Sequence, residues 1–578
     1  MQISQRGLNT TAHNLSNLET EGYVRQQTVQ TDSFYTNIGS NHISYLQVGH
    51  GATAAAITQV RDTFLDKSYR QELGRQKFYE AQYECATEME EILGETEGVA
   101  FQDSVEELWV AMQELCKEPD SIVTRSSFIQ TAVSFIERAE TVYTQIKEYQ
   151  LNLNSNIQNT VDRINEIADE IQRLNGEIQK YEASGMENAN DYRDQRNLLL
   201  DELAGIAEIS YKEHTNGVVT VMLENQMLVS EDLVFHMDTR LLENDTGMIE
   251  PYWPCFGDVP VYNFNPLPSS EANTDIGSLK GLLLVRGDKV GKHTDIPVEP
   301  DKADYTDESG YFYKDDYDEA YSEYEKEVEI FNREIEASAI VCVQAEFDQL
   351  IHGIVTTIND ILCPNKEVVT AEGEKILIFD KENAPIGMDE NGTPGEALFD
   401  RKSMERYEKT TAIIEVDGIF QEVEVWKYNE EDASNNYSLF TLGEIRVNEN
   451  IMKDPSLIPL SSNDGTGDYA VEICSELMSE WQKPFSTLTP NEYKKHNFNE
   501  YYTEMIGALA TRGEKFRNIY QGQETLVSSV DTQRLSVTAV SSDEELTNMI
   551  RFQQAYNASA RYINVVSQML EHLLNALG

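Results

Sequence analysis

Nine histidines and six cysteines are the side chains best able to ligate a metal or attack a substrate in this 578-residue chain. Their spacing argues against both uses. Cys85, Cys116, Cys255, Cys342, Cys363 and Cys474 form no Cys-x-x-Cys pair and have no histidine at zinc-finger spacing. They are expected to be buried as small apolar side chains. The histidines are dispersed, without a His-Glu-x-x-His helix. The Asp, Glu and Tyr of residues 301–329 lack the alternating Asp/Asn, the Gly and the distal Glu of a calcium loop, so a solvated acidic face is expected. Asp464-Gly465-Thr466-Gly467-Asp468 reads as a hairpin turn, and Gly277-Ser278-Leu279-Lys280-Gly281 has the wrong spacing for a nucleophile elbow. With 101 acidic residues, two neighbouring carboxylates prove nothing about hydrolysis. No catalytic, cofactor-binding or metal-ligating residue is assigned, and a non-enzymatic protein is expected.

Composition narrows the class further. A formal charge of -56 argues against nucleic acid or anionic lipid as a partner, since both reward Lys and Arg. No run approaches the length of apolar residues needed to span a membrane, and the polar start has no charged n-region followed by an apolar stretch. The length divides into several domains, and 40% hydrophobic residues suffice to fill their cores.

The elements with the clearest pattern lie at the two ends. Met1, Ser4, Leu8, Thr11, Leu15 and Leu18 alternate three- and four-residue steps and fall on one helical stripe. From Ser542 the chain repeats that spacing through Leu546, Met549, Gln553, Tyr556, Ala560, Ile563, Ser567, Leu570, Leu574 and Leu577. A seam this narrow seeks a partner helix. The terminal helices are therefore expected to pair, and to lack a stable fold where no neighbour covers them. Ser542 with Glu545 reads as a capping box opening the last helix.

Asn14-Leu15-Ser16-Asn17 followed by Gly22-Tyr23 resembles the amino-terminal signature of the flagellar axial proteins, and Arg25-Gln26 narrows the likeness to the hook-associated protein 1 (FlgK) family. Asp543-Glu544-Glu545-Leu546 with Arg551-Phe552-Gln553-Gln554-Ala555-Tyr556 is similar to the closing helix of that family. Arg193 to Leu203 and Gly277 to Leu282 sit in the same order as in the family, whereas residues 364–480 carry no likeness. Glu19-Thr20-Glu21 departs from the Asn-Thr-Pro that the family favours, and fewer residues than usual precede the Gly7-Leu8 pair, as if the start were assigned late or the first helix were short.

Between the ends, apolar spacing predicts long amphipathic helices from Arg61 to about Tyr181, broken at Gly94–Gly98, restarted at Glu118-Pro119-Asp120-Ser121 and closed at Ala183-Ser184-Gly185. Asn216-Gly217 and Glu224-Asn225 bound a strand at Val218–Leu223 and predict a hairpin. Phe331 to Ile358 reads as one resumed helix ended by Pro364, and Glu492 to about Val537 as a second helical arm. Lys375–Phe379, Ala412–Val416 and Val423–Trp426 read as strands of an inserted β-rich domain. The expected fold is mainly α with inserted β-rich parts. Its expected division is a terminal stem (1–50 and 538–578), a long-helix bundle (51–363 and 485–537) with a strand-rich attachment near 206–290, and an outer insert (364–484).

The resemblance implies a structural subunit joining hook to filament. It implies assembly through Leu8, Asn14, Leu15, Asn17, Gly22, Tyr23 and Arg25 at one end. At the other it implies Leu546, Met549, Phe552, Gln553, Tyr556, Ala560, Ile563, Leu570, Leu574 and Leu577. Implied partners are further copies in a ring, the hook protein, the second junction protein and an export chaperone on the last helix. The implied location is the extracellular flagellum, reached through its export apparatus without a cleaved signal. Another hook or filament subunit, and an exported hydrolase on a coiled stalk with carboxylates in 365–480, are the alternatives.

Overall fold

In the computed structural model every residue is described except 42–43, 50, 95–100, 184–187, 244–245, 307–309, 372, 390–391, 417–418, 464–470 and 578, together with the side chains of 37–47, 415–419 and 577. The expected turns at 464–468, and most of those at 94–98 and 183–185, lie outside the described residues. Helix α1 (Gln2–Ser16) opens the chain. Two β-ribbons then follow, where the division above has stem helix to residue 50 and bundle helix beyond it: Gln26–Asp32 pairs antiparallel with Ala52–Gln59, and Tyr35–Asn41 with Ser44–Gly49. The recurrent Thr, Val and Ile of these segments favour extended backbone.

The long-helix region comprises α2 (Thr63–Leu93), α3 (Phe101–Lys117), α4 (Ile122–Glu182) and α5 (Asn190–Ile206). Asp62 caps α2 by accepting from Phe64 N and Leu65 N, and Ser121 Oγ caps α4 by accepting from Thr124 N. Helix α4 runs for 61 residues, about 90 Å at about 1.5 Å per residue. Its stripe Ile157, Val161, Ile164, Ile167, Ile171, Leu174 and Ile178 is completely buried, as the spacing requires.

That stripe lies under the strand-rich attachment. Ile209–Glu213, Val219–Leu223 and Gln226–Val229 form a three-stranded meander, and Glu224 and Asn225 take φ of 46° and 64° in the two-residue loop. Val221, Leu223 and Trp253 pack with Leu200 and Leu203 of α5 against the second half of α4. The first half of α4 belongs to a larger core that also takes in α6 (Ser278–Arg286) through Val285.

Helices α7 (Lys314–Glu334) and α8 (Ala339–Leu362) replace the single helix expected from Phe331 onward. The break falls at Ser338, whose hydroxyl donates to Val285 O and accepts from Val341 N. α7 extends back through the acidic stretch, and of its residues only Phe331 is buried, which is the solvated face anticipated there. Pro364 ends α8, as read, because the residue before a proline avoids helical backbone.

The segment 364–484 holds a four-stranded sheet in the order Asn365–Val369, Lys375–Phe379, Ile419–Tyr428, Tyr407–Val416, with a small core of Ile378, Ile414 and Val425. It is not uniformly β. α9 (Glu449–Lys453) and α10 (Val471–Gln482) are helical, and Leu398, Phe440, Leu477 and Trp481 join the large core. Cys474, Leu477 and Trp481 are spaced by three and four, a helical signal that the strand reading passed over.

Helix α11 (Phe498–Thr538) begins later than expected, at Asn497, which accepts from Glu500 N. It packs along α2, and α12 (Ser542–Leu577) completes the fold. In the large core the Phe101 ring of α3 meets Phe135 of α4 at 5.5 Å, Phe347 of α8 at 4.9 Å and Tyr502 of α11 at 5.6 Å.

Glu346 of α8 is buried in the same region, and burial pushes its carboxyl up to about 7 although the Arg512 guanidinium opposes the shift. Unfolded, it titrates near 4.5. Between those values the folded chain holds the extra proton, so stability falls as pH rises through the window from 4.5 to about 7. Glu346→Gln is expected to flatten that fall, read as a smaller difference between thermal midpoints at pH 5 and pH 8 than in the wild type.

Candidate assembly interface

Asn14 organises the amino-terminal end. Its Oδ1 accepts from Gln26 N at 3.0 Å and its Nδ2 donates to Gln26 O at 2.9 Å, so the amide satisfies the backbone of a strand end as a neighbouring strand would. The Tyr23 hydroxyl donates to the same Oδ1 at 2.8 Å and lies 3.0 Å from His13 Nδ1. Burial first, then Asp191, Asp194 and Glu545, push the Tyr23 phenol well up from its ordinary value. Asn17 closes α1, its Nδ2 donating to His13 O. Gly22 stands where φ is +73°, and a Cβ there would lie 2.5 Å from Leu198 of α5, so both backbone and space demand glycine.

Arg25 ties this turn to the other terminus. Its backbone N donates to Thr538 O at 2.8 Å at the end of α11, and its guanidinium reaches Glu544 of α12 at 2.6 Å. Asp194 of α5 holds the third side, accepting from Val24 N at 3.3 Å and from Gln59 Nε2 at 2.7 Å. Burial pushes its carboxyl up to about 7. On either side of it, Arg193 grips Glu182 at the end of α4 with two 2.8 Å bonds, and Arg196 donates to Asn175 Oδ1 and Gly217 O. The Arg193–Arg196 run thus joins α4, α5, the hairpin and the amino-terminal turn in one polar joint.

Helix α1 packs both on α12 and on the first β-ribbon, to which Thr10 and Asn14 are bonded. Gly7, Thr10, Thr11 and Asn14 are its buried positions, while Leu8 and Leu15 are half-buried at the edge of that face and Met1 and Leu18 are exposed. Gly7 lies beneath the Phe552 ring, where an added Cβ would sit 2.8 Å from three ring carbons. That contact sets the rotation of α12 and splits the heptad seam. Met549, Phe552, Tyr556 and Ala560 are half-buried, whereas Leu546, Gln553, Ile563, Leu570 and Leu574 face outward. Leu546, Ile563, Leu570 and Leu574 are between 46% and 70% exposed. The side chain of Leu577 lies outside the described residues. Both terminal segments are helical and paired here, but the 15 residues of α1 reach only part of the way along the 36 of α12, about 22 Å against about 54 Å.

Two details differ from the sequence reading. Ser542 is already helical, and it is Ser541 Oγ that accepts from Glu544 N, so the cap stands one residue earlier than the Ser542–Glu545 pair. Glu545 is instead buried. Gly7, Gln59 and Asp194 were not singled out as interface positions; the missed signal for Gly7 is a small residue on the helix face that must meet a large aromatic one.

A family model described as the flagellar hook-associated protein FlgK helical domain matches residues 86–307, and one described as the flagellar basal body rod FlgEFG protein C-terminal matches 532–576. Flagellar hook-associated protein 1 of Bacillus subtilis (strain 168) is 22% identical across 100% of this chain and 96% of its own length. The protein of that name from Escherichia coli (strain K12) is 20% identical across 100% and 98%. The solved flagellar hook junction protein FlgK from Burkholderia pseudomallei aligns with a TM-score of 0.49 at 12% identity, over 81% of this chain and 99% of that one. With alignment from end to end, a matched helical domain and a matched closing helix, the chain is similar throughout its length to flagellar hook-associated protein 1.

Proposed function

We propose that this chain is a structural subunit of the bacterial flagellum that joins hook to filament. The observation that carries the reading is the pairing of α1 with α12 while the outward seam of α12 stays uncovered. A stripe of exposed Leu and Ile on a helix longer than its partner is a surface that neighbouring subunits can bury. In this reading copies form a ring through their paired termini, with the hook protein on one side and the second junction protein on the other. An export chaperone guards the last helix on the way to the extracellular flagellum. The stem is 1–50 with 538–578, the shaft 51–363 with 485–537, and the outward part 364–484. The role is mechanical and needs no catalytic centre.

Deleting residues 546–578 is expected to leave the central helices folded, read by circular dichroism and thermal melting, and to abolish filament attachment in cells supplied only with the truncated chain. Retained filaments would overturn the proposal. On the full-length monomer, hydrogen exchange should be fastest in residues 561–577 and slowest along Ile157–Ile178, the same contrast expressed in amide protection.

A further inference from the structure

Two of the nine histidines lie face to face, far from the termini. His293, in the short 3-10 turn His293–Asp295, and His352 of α8 stack with ring centroids 3.9 Å apart and planes 16° from parallel. Glu431, in the loop after the strand Ile419–Tyr428, closes on them: its carboxylate lies 2.8 Å from His352 Nε2. One ligand atom from each of the three comes within 4.8 Å of the others. Ligand atoms around a tetrahedral ion at about 2.0–2.1 Å stand roughly 3.3 Å apart, and each imidazole holds an ion in its own plane, so the two rings must turn out of their stack for both lone pairs to meet on it.

The surroundings are those of a prepared ligand set. Asp348 is 1% exposed and fixed by Thr441 Oγ1 at 2.9 Å, Leu442 N at 2.8 Å and His293 N at 2.9 Å. It also takes His293 Nδ1 at 2.8 Å, which places the ring proton on Nδ1 and leaves Nε2 its lone pair. A carboxylate behind a histidine in this way orients metal-binding imidazoles and raises their basicity. Glu431 is held likewise, one oxygen accepting from Phe440 N at 2.5 Å. The His352 and Glu431 side chains keep 24% and 23% of their exposure, leaving a face open to water for a fourth ligand. Like charges on two rings at this separation would repel, whereas one shared cation removes the need for either proton.

We propose that His293, His352 and Glu431 bind one divalent transition-metal ion of the Zn²⁺ class, with Asp348 positioning His293. Two imidazoles and a carboxylate suit Zn²⁺, Co²⁺ or Ni²⁺ and not Ca²⁺ or Mg²⁺. The ion bridges α8 of the helical shaft to the loop of the outer segment and fastens one to the other.

The test is titration of the full-length chain with Zn²⁺ against His352→Ala and the double variant His293→Ala/His352→Ala, with Mg²⁺ as the control for the acidic surface. One equivalent of Zn²⁺ is expected to bind the wild type and raise its thermal midpoint, with affinity falling at least about 100-fold in His352→Ala. Wild-type binding no tighter than in the double variant would overturn the proposal, leaving only two stacked ion pairs. Should the variants fail to fold, Co²⁺ added to the wild type decides: visible d–d bands of nitrogen ligation support the site, and a spectrum of hydrated Co²⁺ refutes it.

Discussion

Gly7→Leu should eliminate filament attachment while the central helices melt as in the wild type. The first carbon of any side chain at Gly7 would lie 2.8 Å from the Phe552 ring, far inside the ordinary contact of about 3.5–4.0 Å between carbons. Neither backbone can yield locally, because α1 is anchored by the Asn14 bonds to Gln26 and α12 by the Arg25 to Glu544 pair. The leucine therefore drives the two helices apart and turns the outward seam of α12 away from its neighbours. Counting filaments by electron microscopy reads the loss. Combining Gly7→Leu with Phe552→Ala makes room for the new side chain and should restore part of the attachment, a coupling that independent sites would not show. Normal filaments on the single variant would refute the pairing as the determinant of assembly.

Phe101→Ala should produce the largest loss of stability of any single truncation in the large core, about 3–5 kcal/mol. Its ring is fully buried and is shared among α3, α4, α8 and α11 through Phe135, Phe347 and Tyr502. Removing it opens a cavity that four long helices cannot close without shifting together. Denaturant titration followed by far-ultraviolet circular dichroism measures the effect, and a change below about 1 kcal/mol would mean that the site collapses freely. The α1–α12 contact lies outside this core, so the two substitutions separate loss of stability from loss of assembly.

Much of the shaft was legible because its signals are local and repeated. The buried stripe of α4, the Ser121 cap and the Glu224-Asn225 loop each follow from periodicity or turn chemistry within a few residues, as do three strands of the outer segment around 375–426. The outer segment was harder to read because α10 is short and lies among strands, and because its apolar residues enter a core assembled from helices hundreds of positions away. At the termini the spacing located the helices but not their rotation. Leu546 and Ile563 fall on the heptad seam and Phe552 one position off it, yet it is Phe552 that finds a glycine opposite it. The joint at Asp194 escaped for a related reason: its partners Val24 and Gln59 come from a turn and a strand end that no single window of sequence connects.

The meeting point of Arg25, Asn14 and Asp194 is built almost wholly from hydrogen bonds and one partly exposed ion pair, whereas the shaft behind it is a continuous apolar packing around a 61-residue helix. Asn14 and Asp194 are nonetheless buried there, so parting either from its partners strands a polar group away from water at a cost of about 1–3 kcal/mol, while interleaved core side chains resist displacement in the bulk. Both regions are therefore stiff, the core through its packing and the joint through the directions of its bonds. Tilting the amino-terminal turn against the long helices would break that set of bonds together, so the joint holds one angle and passes a pull on the termini straight to α4 and α5.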